Sequence, residues 1–260
     1  MLKILTITLL LSFLFNSAAS AESPNMTAED IIGKMLRADA FGWEGAKTQL
    51  RLVLVDRSGD RKERLMVILG RRHKGLQQTM VRFLSPSKIA GTAFLMLERK
   101  DEASEQYIYL SGLKRTRRIV GREQEGSFMG TDFTYADMQR LDAKYAKNKR
   151  LPDEAIGKAP VYVVESNIHK DAPIAYSRVV TWVRKSDYIP LRTRFYDKQG
   201  ALMKTLYARR VRQIEGNPVV VEARMQNNQT GHATELIVES IEKKDDLPDV
   251  AFTPNALEHW

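Results

Sequence analysis

The chain has no cysteine in 260 residues. That excludes a disulfide framework and thiol chemistry, so in an oxidising compartment the fold must stand on its apolar core alone. It also leaves no thiol to carry a lipid anchor. There are only four histidines. His73, His169, His232 and His259 fall in separate segments without metal-ligand spacing, and no metal site is expected. The sequence has no Gly-x-Ser-x-Gly elbow, no phosphate loop and no dinucleotide fingerprint, so neither a cofactor nor an enzymatic activity is indicated. Asp132 and Asp137 read as a turn acceptor and a helix-start residue rather than as an acid pair. The apolar stretch from Ile4 to Phe15 is about 12 residues long, well short of the roughly 20 that span a bilayer as a helix.

That stretch follows the positive charge of Lys3 and precedes Ala19-Ser20-Ala21, a small-x-small cleavage site. The pattern is a secretory signal peptide over residues 1–21, with 22–260 expected to form a single domain. Lysine and arginine total 41 against 32 acidic residues, a formal charge of +9. An exported chain of this charge meets anionic lipid headgroups, lipopolysaccharide phosphates or acidic protein surfaces, not nucleic acid. Most of the basic pairs sit at strand ends and turns, where charges normally collect. The run Lys114-Arg115-Thr116-Arg117-Arg118 is denser than that, and Lys114, Arg115, Arg117 and Arg118 are the candidate docking edge for a headgroup or an acidic partner.

Thr27 and Asp30 have capping-box spacing, with Ile31, Ile32, Met35 and Leu36 on one face of the helix that follows. From Lys47 the period changes to two. Strands are expected near Leu50–Leu54, Arg61–Arg71, Gln77–Phe83, Thr92–Glu98, Gln106–Leu110 and Thr116–Val120, whereas over Gln139–Leu151 the pattern is weak and Leu141 and Tyr145 suit an extended helix as well as a strand. Six more are expected over Val161–Ile168, Tyr176–Arg184, Leu191–Tyr196, Leu202–Val211, Val219–Gln226 and His232–Ile241. Short Gly-, Asn- and Asp-containing turns between them mark an antiparallel meander. Leu65–Leu69 and Phe94–Leu97 are apolar on both faces, so protein or ligand must cover both sides there.

One stretch breaks the series. Ser127-Phe128-Met129-Gly130-Thr131-Asp132-Phe133-Thr134-Tyr135-Ala136-Asp137-Met138 brings four large apolar side chains together behind a polar loop. Thr134 and Asp137 have capping-box spacing and announce a short helix. With Arg117-Arg118-Ile119 upstream and Leu247-Pro248-Asp249-Val250-Ala251-Phe252-Thr253-Pro254 near the end, this segment resembles the bacterial outer-membrane lipoprotein-sorting proteins. These are relatives of the periplasmic carrier LolA, and the resemblance covers nearly all of the chain after the leader.

The resemblance implies an α+β, mostly β fold: a highly curved antiparallel sheet forming an incomplete β-barrel, with helices covering the concave face, and with a brief central helix followed by a strand over Lys144–Leu151. It implies a monomeric periplasmic carrier that shields the acyl chains of a lipid or lipoprotein in an apolar cavity and moves them toward the outer membrane. An outer-membrane acceptor or an inner-membrane exporter of the resistance-nodulation-division (RND) type would be the partner, and an anionic membrane surface a further contact. The expected cavity lining is Leu52, Leu54, Met66, Ile68, Phe94, Met96, Phe128, Met129, Phe133 and Trp182. Phe128, Met129 and Phe133 are expected to gate its mouth at little cost in stability. The methionines, adaptable to varied apolar shapes, suit flexible chains. The alternative is an envelope sensor of the same fold that binds lipid or misassembled envelope material and controls an inner-membrane partner.

Overall fold

The computed structural model describes residues 26–38, 44–100, 102–139, 145–172 and 174–259. The expected signal peptide, Leu141 of the alternative helix extension and Lys144 of the expected strand lie outside these residues. The period-two segments become thirteen strands: β1 Gly45–Val55, β2 Arg61–His73, β3 Leu76–Ser85, β4 Ala93–Leu97, β5 Glu105–Leu110, β6 Arg115–Ile119, β7 Ala146–Ile156, β8 Ala159–Ile168, β9 Tyr176–Arg184, β10 Pro190–Asp197, β11 Leu202–Ile214, β12 Asn217–Asn227 and β13 Ala233–Lys243. All pair antiparallel in one curved sheet of order β6-β5-β4-β3-β2-β1-β13-β12-β11-β10-β9-β8-β7. The two meanders, β1–β6 and β7–β13, join where β1 pairs with β13. The sheet does not close, because β6 and β7 end it. Both edges carry features that discourage further strand pairing: arginines along β6 and Pro152 with lysines in β7.

Register sets which side chains share a face. Leu52 of β1 stands opposite Leu236 of β13, Met66 opposite Phe83, and Phe94 opposite Ile108. These residues pack on the inner face with Phe128 and Tyr135 of the interrupting segment. Met80, Ala93, Leu95 and Leu97 point the other way, where Phe252 and Leu257 of the C-terminal segment cover them. The strands that are apolar on both sides are thus covered on both. Two arginines hold that cover in place. The Arg82 guanidinium donates to the carbonyls of Ala256 and Leu257 at 3.0 and 2.9 Å. Arg71 donates to the Leu247 carbonyl and to Asp249, and lies over the Phe252 ring.

Helix α1, Ala28–Ala38, opens on the expected capping box. The Thr27 N–H donates to the Asp30 carboxylate at 3.0 Å, and the Asp30 N–H donates to the Thr27 hydroxyl at 3.1 Å. Its buried Ala28 and Ile31 pack on Tyr162, Val164 and Val183 of β8 and β9. No helix among the described residues is long and apolar enough to cross a membrane. Gly45 fits a close approach at the start of β1, since a Cβ there would collide with the Lys244 carbonyl of the returning chain.

Candidate functional site

Residues 127–138 fold back across the inner face as a ridge. Ser127 and Thr134 form a β-bridge, the Phe128 N–H donates to the Phe133 carbonyl at 2.7 Å, and Met129 and Gly130 turn the chain at φ 52° and 77°. Thr134 and Asp137 exchange the expected bonds, N–H to carboxylate at 2.7 Å and N–H to hydroxyl at 3.2 Å. The helix they start is a single 3₁₀ turn, Ala136–Met138.

Between the ridge and strands β1 to β4 lies a cavity of about 440 Å³. Seven of the ten expected lining residues meet there: Leu52, Met66, Ile68, Phe94, Met96, Phe128 and Phe133. Val81, Met138 and Leu236 complete the apolar wall. Gly70 also lines it, and a Cβ built there meets nothing within 4 Å, so its missing side chain is part of the open space.

Phe128 is both wall and core. It is 2% exposed and sits among Phe94, Tyr135 and Phe83 at ring distances of 5.3, 5.5 and 6.0 Å. The expectation that it gates the mouth at little cost is therefore corrected: burial among three rings makes it a packing residue. Phe133, half-buried, is the ridge aromatic that lines the cavity without being sealed in the core. Met129 contributes through its backbone, because its carbonyl accepts from the Arg64 guanidinium and pins the tip of the ridge to β2.

A similar solved structure, a domain assigned to the outer membrane lipoprotein-sorting proteins from Vibrio parahaemolyticus, is 30% identical with a TM-score of 0.82. The match covers 88% of this chain and 97% of that one. The chain belongs to the outer membrane lipoprotein-sorting family. A family model described as "-like: Uncharacterized protein" matches residues 75–259. A DUF1329 family protein from Desulfovibrio piger, 24% identical, shares the fold with a TM-score of 0.81, the match covering 88% of this chain and 98% of that one. A LolA superfamily protein from Nitrosomonas europaea, 20% identical, shares it with a TM-score of 0.70 over 89% of this chain and 100% of that one. No curated protein matches the sequence.

The remaining expected residues of this lipoprotein-sorting family member lie elsewhere. Leu54 packs beside the main cluster and lines a smaller cavity of about 130 Å³ near Lys62 and Asp132. Trp182 is on the other face of the sheet. It packs with Val161, Val163 and Val180, its indole N–H donates to Glu154 at 2.9 Å, and the Arg192 guanidinium stacks 3.9 Å above it. Strand alternation puts Val183, not Trp182, on the side that meets α1. Lys114, Arg115, Arg117 and Arg118, the expected docking residues, are all exposed at the β6 edge. They do not make one plane, however. Arg117 stands opposite Ile108 and pairs with Glu123, whereas Arg118 stands opposite Tyr107 on the other face.

The sequence reading missed the polar anchor beneath the ridge. The Lys204 ammonium, 1% exposed, donates to the Asp137 carboxylate at 2.5 Å and to the Asp132 carbonyl at 3.0 Å. The Tyr176 hydroxyl donates to the other Asp137 oxygen at 2.7 Å. Burial, and then the Asp137 charge, push the Tyr176 phenol far above its ordinary range, so it stays a donor. Asp132 is not a local turn acceptor as expected; its carboxylate accepts from the Thr234 hydroxyl of β13 at 2.8 Å. The two acids of the ridge are thus its struts, tied to β11 and β13.

Proposed function

We propose that this protein is a periplasmic carrier that shelters acyl chains of a lipid or lipoprotein between sheet and ridge and passes them toward the outer membrane. The observation that carries this reading is the cavity itself: an apolar space of about 440 Å³ kept open against a packed core by Phe94, Met96, Ile68 and Phe133. Each methylene moved from water into such a space gains about 0.8 kcal/mol. Holding and releasing a chain therefore needs no covalent step. In this reading residues 1–21 are a cleaved leader and 22–260 act as one monomeric unit. The basic β6 edge meets the anionic surface from which cargo is taken, and an inner-membrane exporter of the RND type is the donor.

The family assignment supports the reading, since the relative from Vibrio parahaemolyticus is assigned to lipoprotein sorting by name. Native mass spectrometry of the exported protein tests it. An acylated molecule should be retained at about one per chain, in keeping with a cavity of single-ligand size. Protein that is always empty, and that takes up no fluorescent acyl probe, contradicts it.

A further inference from the structure

The cavity has two unlike ends. Toward the β2–β3 turn its lining passes from Ile68, Phe94 and Met96, with Thr48 opposite Ile68 and Thr79 opposite Met96, to Gln77 and Arg72. Alternation along β2 places Arg72 on the same face as Ile68 and Gly70. Arg72 is half-buried, and its N–H donates to the Glu44 carbonyl at 2.7 Å. Its guanidinium makes no ion pair and no hydrogen bond among the described residues. The neighbouring Arg71, by contrast, is fully engaged by Gln78, the Leu247 carbonyl and Asp249. The side chains of Thr48, Thr79 and Gln77 also lack a hydrogen-bond partner among the described residues. Of the nearby acids, Glu98 accepts the Gln77 N–H at 2.6 Å and Glu44 is exposed; neither pairs with Arg72.

A half-buried guanidinium that pairs with no described residue keeps its N–H groups open to an acceptor from outside the chain. Here it stands opposite Gln77, with Thr79 one inward-facing position further along β3, at one end of a space whose middle is lined by Ile68, Phe94 and Met96. The missing part is an oxyanion, to which a guanidinium bonds through two parallel N–H groups. The cavity volume is at the low end of the roughly 300–1,000 Å³ that holds one small ligand, which suits one chain rather than several.

We propose that the cavity takes a single-chain amphiphile with a monoanionic oxyacid head, the head on Arg72 and the chain along Ile68, Met96 and Phe94. This rests on the carrier reading and names the class of cargo. A long-chain fatty acid and a lysophospholipid share the required chemistry.

The test is displacement of a fluorescent acyl probe from the folded protein at neutral pH by three competitors of equal chain length: palmitic acid, palmitoyl lysophosphatidylglycerol and monopalmitoylglycerol. At least one acid should compete about tenfold or more better than the neutral ester, as a charge-assisted bond predicts. Whichever acid competes better identifies the head as carboxylate or phosphate. In Arg72→Gln that advantage should vanish while the melting temperature stays unchanged, and Arg72→Lys should keep part of it. The proposal is overturned if the neutral ester competes as well as both acids, or if the advantage survives in Arg72→Gln. If no amphiphile and no probe binds, the carrier reading falls with it, which separates the two failures.

Discussion

Lys204 of β11 and Asp137 of the ridge form an ion pair of 2.5 Å with side chains 1% and 7% exposed. Among the described residues no other ion pair joins the ridge to the far meander, so this pair helps set where the ridge lies over the sheet. Removing one member of a buried pair leaves the other charge uncompensated. Lys204→Met is expected to cost about 3–5 kcal/mol in urea unfolding. The double substitution Lys204→Met with Asp137→Asn should recover part of that loss. A single-substitution cost below about 1 kcal/mol, the ordinary worth of a surface pair, would mean that the anchor is not structural.

The two ridge phenylalanines should separate stability from binding. Phe128, enclosed by Phe83, Phe94 and Tyr135, should lose about 3–5 kcal/mol on truncation to alanine. Phe133 lines the cavity half-buried, and its truncation should cost about 1–2 kcal/mol, within the usual range for a point change. Chemical denaturation and probe affinity in the same preparations check this. Phe133→Ala should show the larger fall in affinity per unit of stability lost.

Replacing Lys114, Arg115, Arg117 and Arg118 with glutamine should leave the melting temperature nearly unchanged. All four are exposed, and the ion pair that Arg117 makes with Glu123 is at the surface, where such pairs contribute about 0–1 kcal/mol. Co-sedimentation with vesicles containing phosphatidylglycerol should fall, and the difference from the unsubstituted protein should shrink as salt is raised. Equal sedimentation of both proteins at low salt would move the anionic contact to another part of the surface.

Acid should loosen the C-terminal cover before the sheet. The Arg71 guanidinium bonded to Asp249 holds its carboxyl below the usual carboxylate range. A folded pKa lower than the unfolded one contributes stability that is present above about pH 4, the ordinary Asp value, and lost as pH falls through the depressed folded pKa. Amide exchange over residues 249–257 should therefore speed up below about pH 4 relative to that in β12 and β13, and the Asp249→Asn protein should show no such step.

Most of the sheet was legible because a period of two survives in the sequence wherever one face is wet. β9 runs from Tyr176 to Arg184 as read, and the others differ by a few residues at their ends. The ridge was legible as an interruption, and seven of the ten expected lining residues, two of them its own, do meet in the cavity. What alternation cannot give is the face of a strand that is apolar on both sides. Val179, Val180, Trp182 and Val183 offered no wet side, and Trp182 turned out to sit under Arg192 on the outer one. Nor can it show a charge that is buried by a distant partner. Lys204 reads as a solvated lysine until Asp137, 67 residues away in the chain, is brought against it. Arg72 and Gly70 were missed for a related reason. An arginine near a turn and a glycine in a strand look like punctuation, and only the ridge folded over the face they share with Ile68 makes that face the wall of a cavity.

Gly70 gives the most direct test of the carrier reading. Its absent side chain opens into the cavity with nothing within 4 Å of a built Cβ, so a larger residue there fills the space a chain would occupy without displacing the core. Valine also suits a strand interior better than glycine does. Gly70→Val and Gly70→Phe should fold with melting temperatures at or above that of the unsubstituted protein. Their affinity for a fluorescent acyl probe should fall about tenfold or more, with phenylalanine the worse of the two, since losing even two buried methylenes at about 0.8 kcal/mol each is worth that much. Unchanged probe affinity in a folded Gly70→Phe protein would contradict the claim that acyl chains are carried in this cavity.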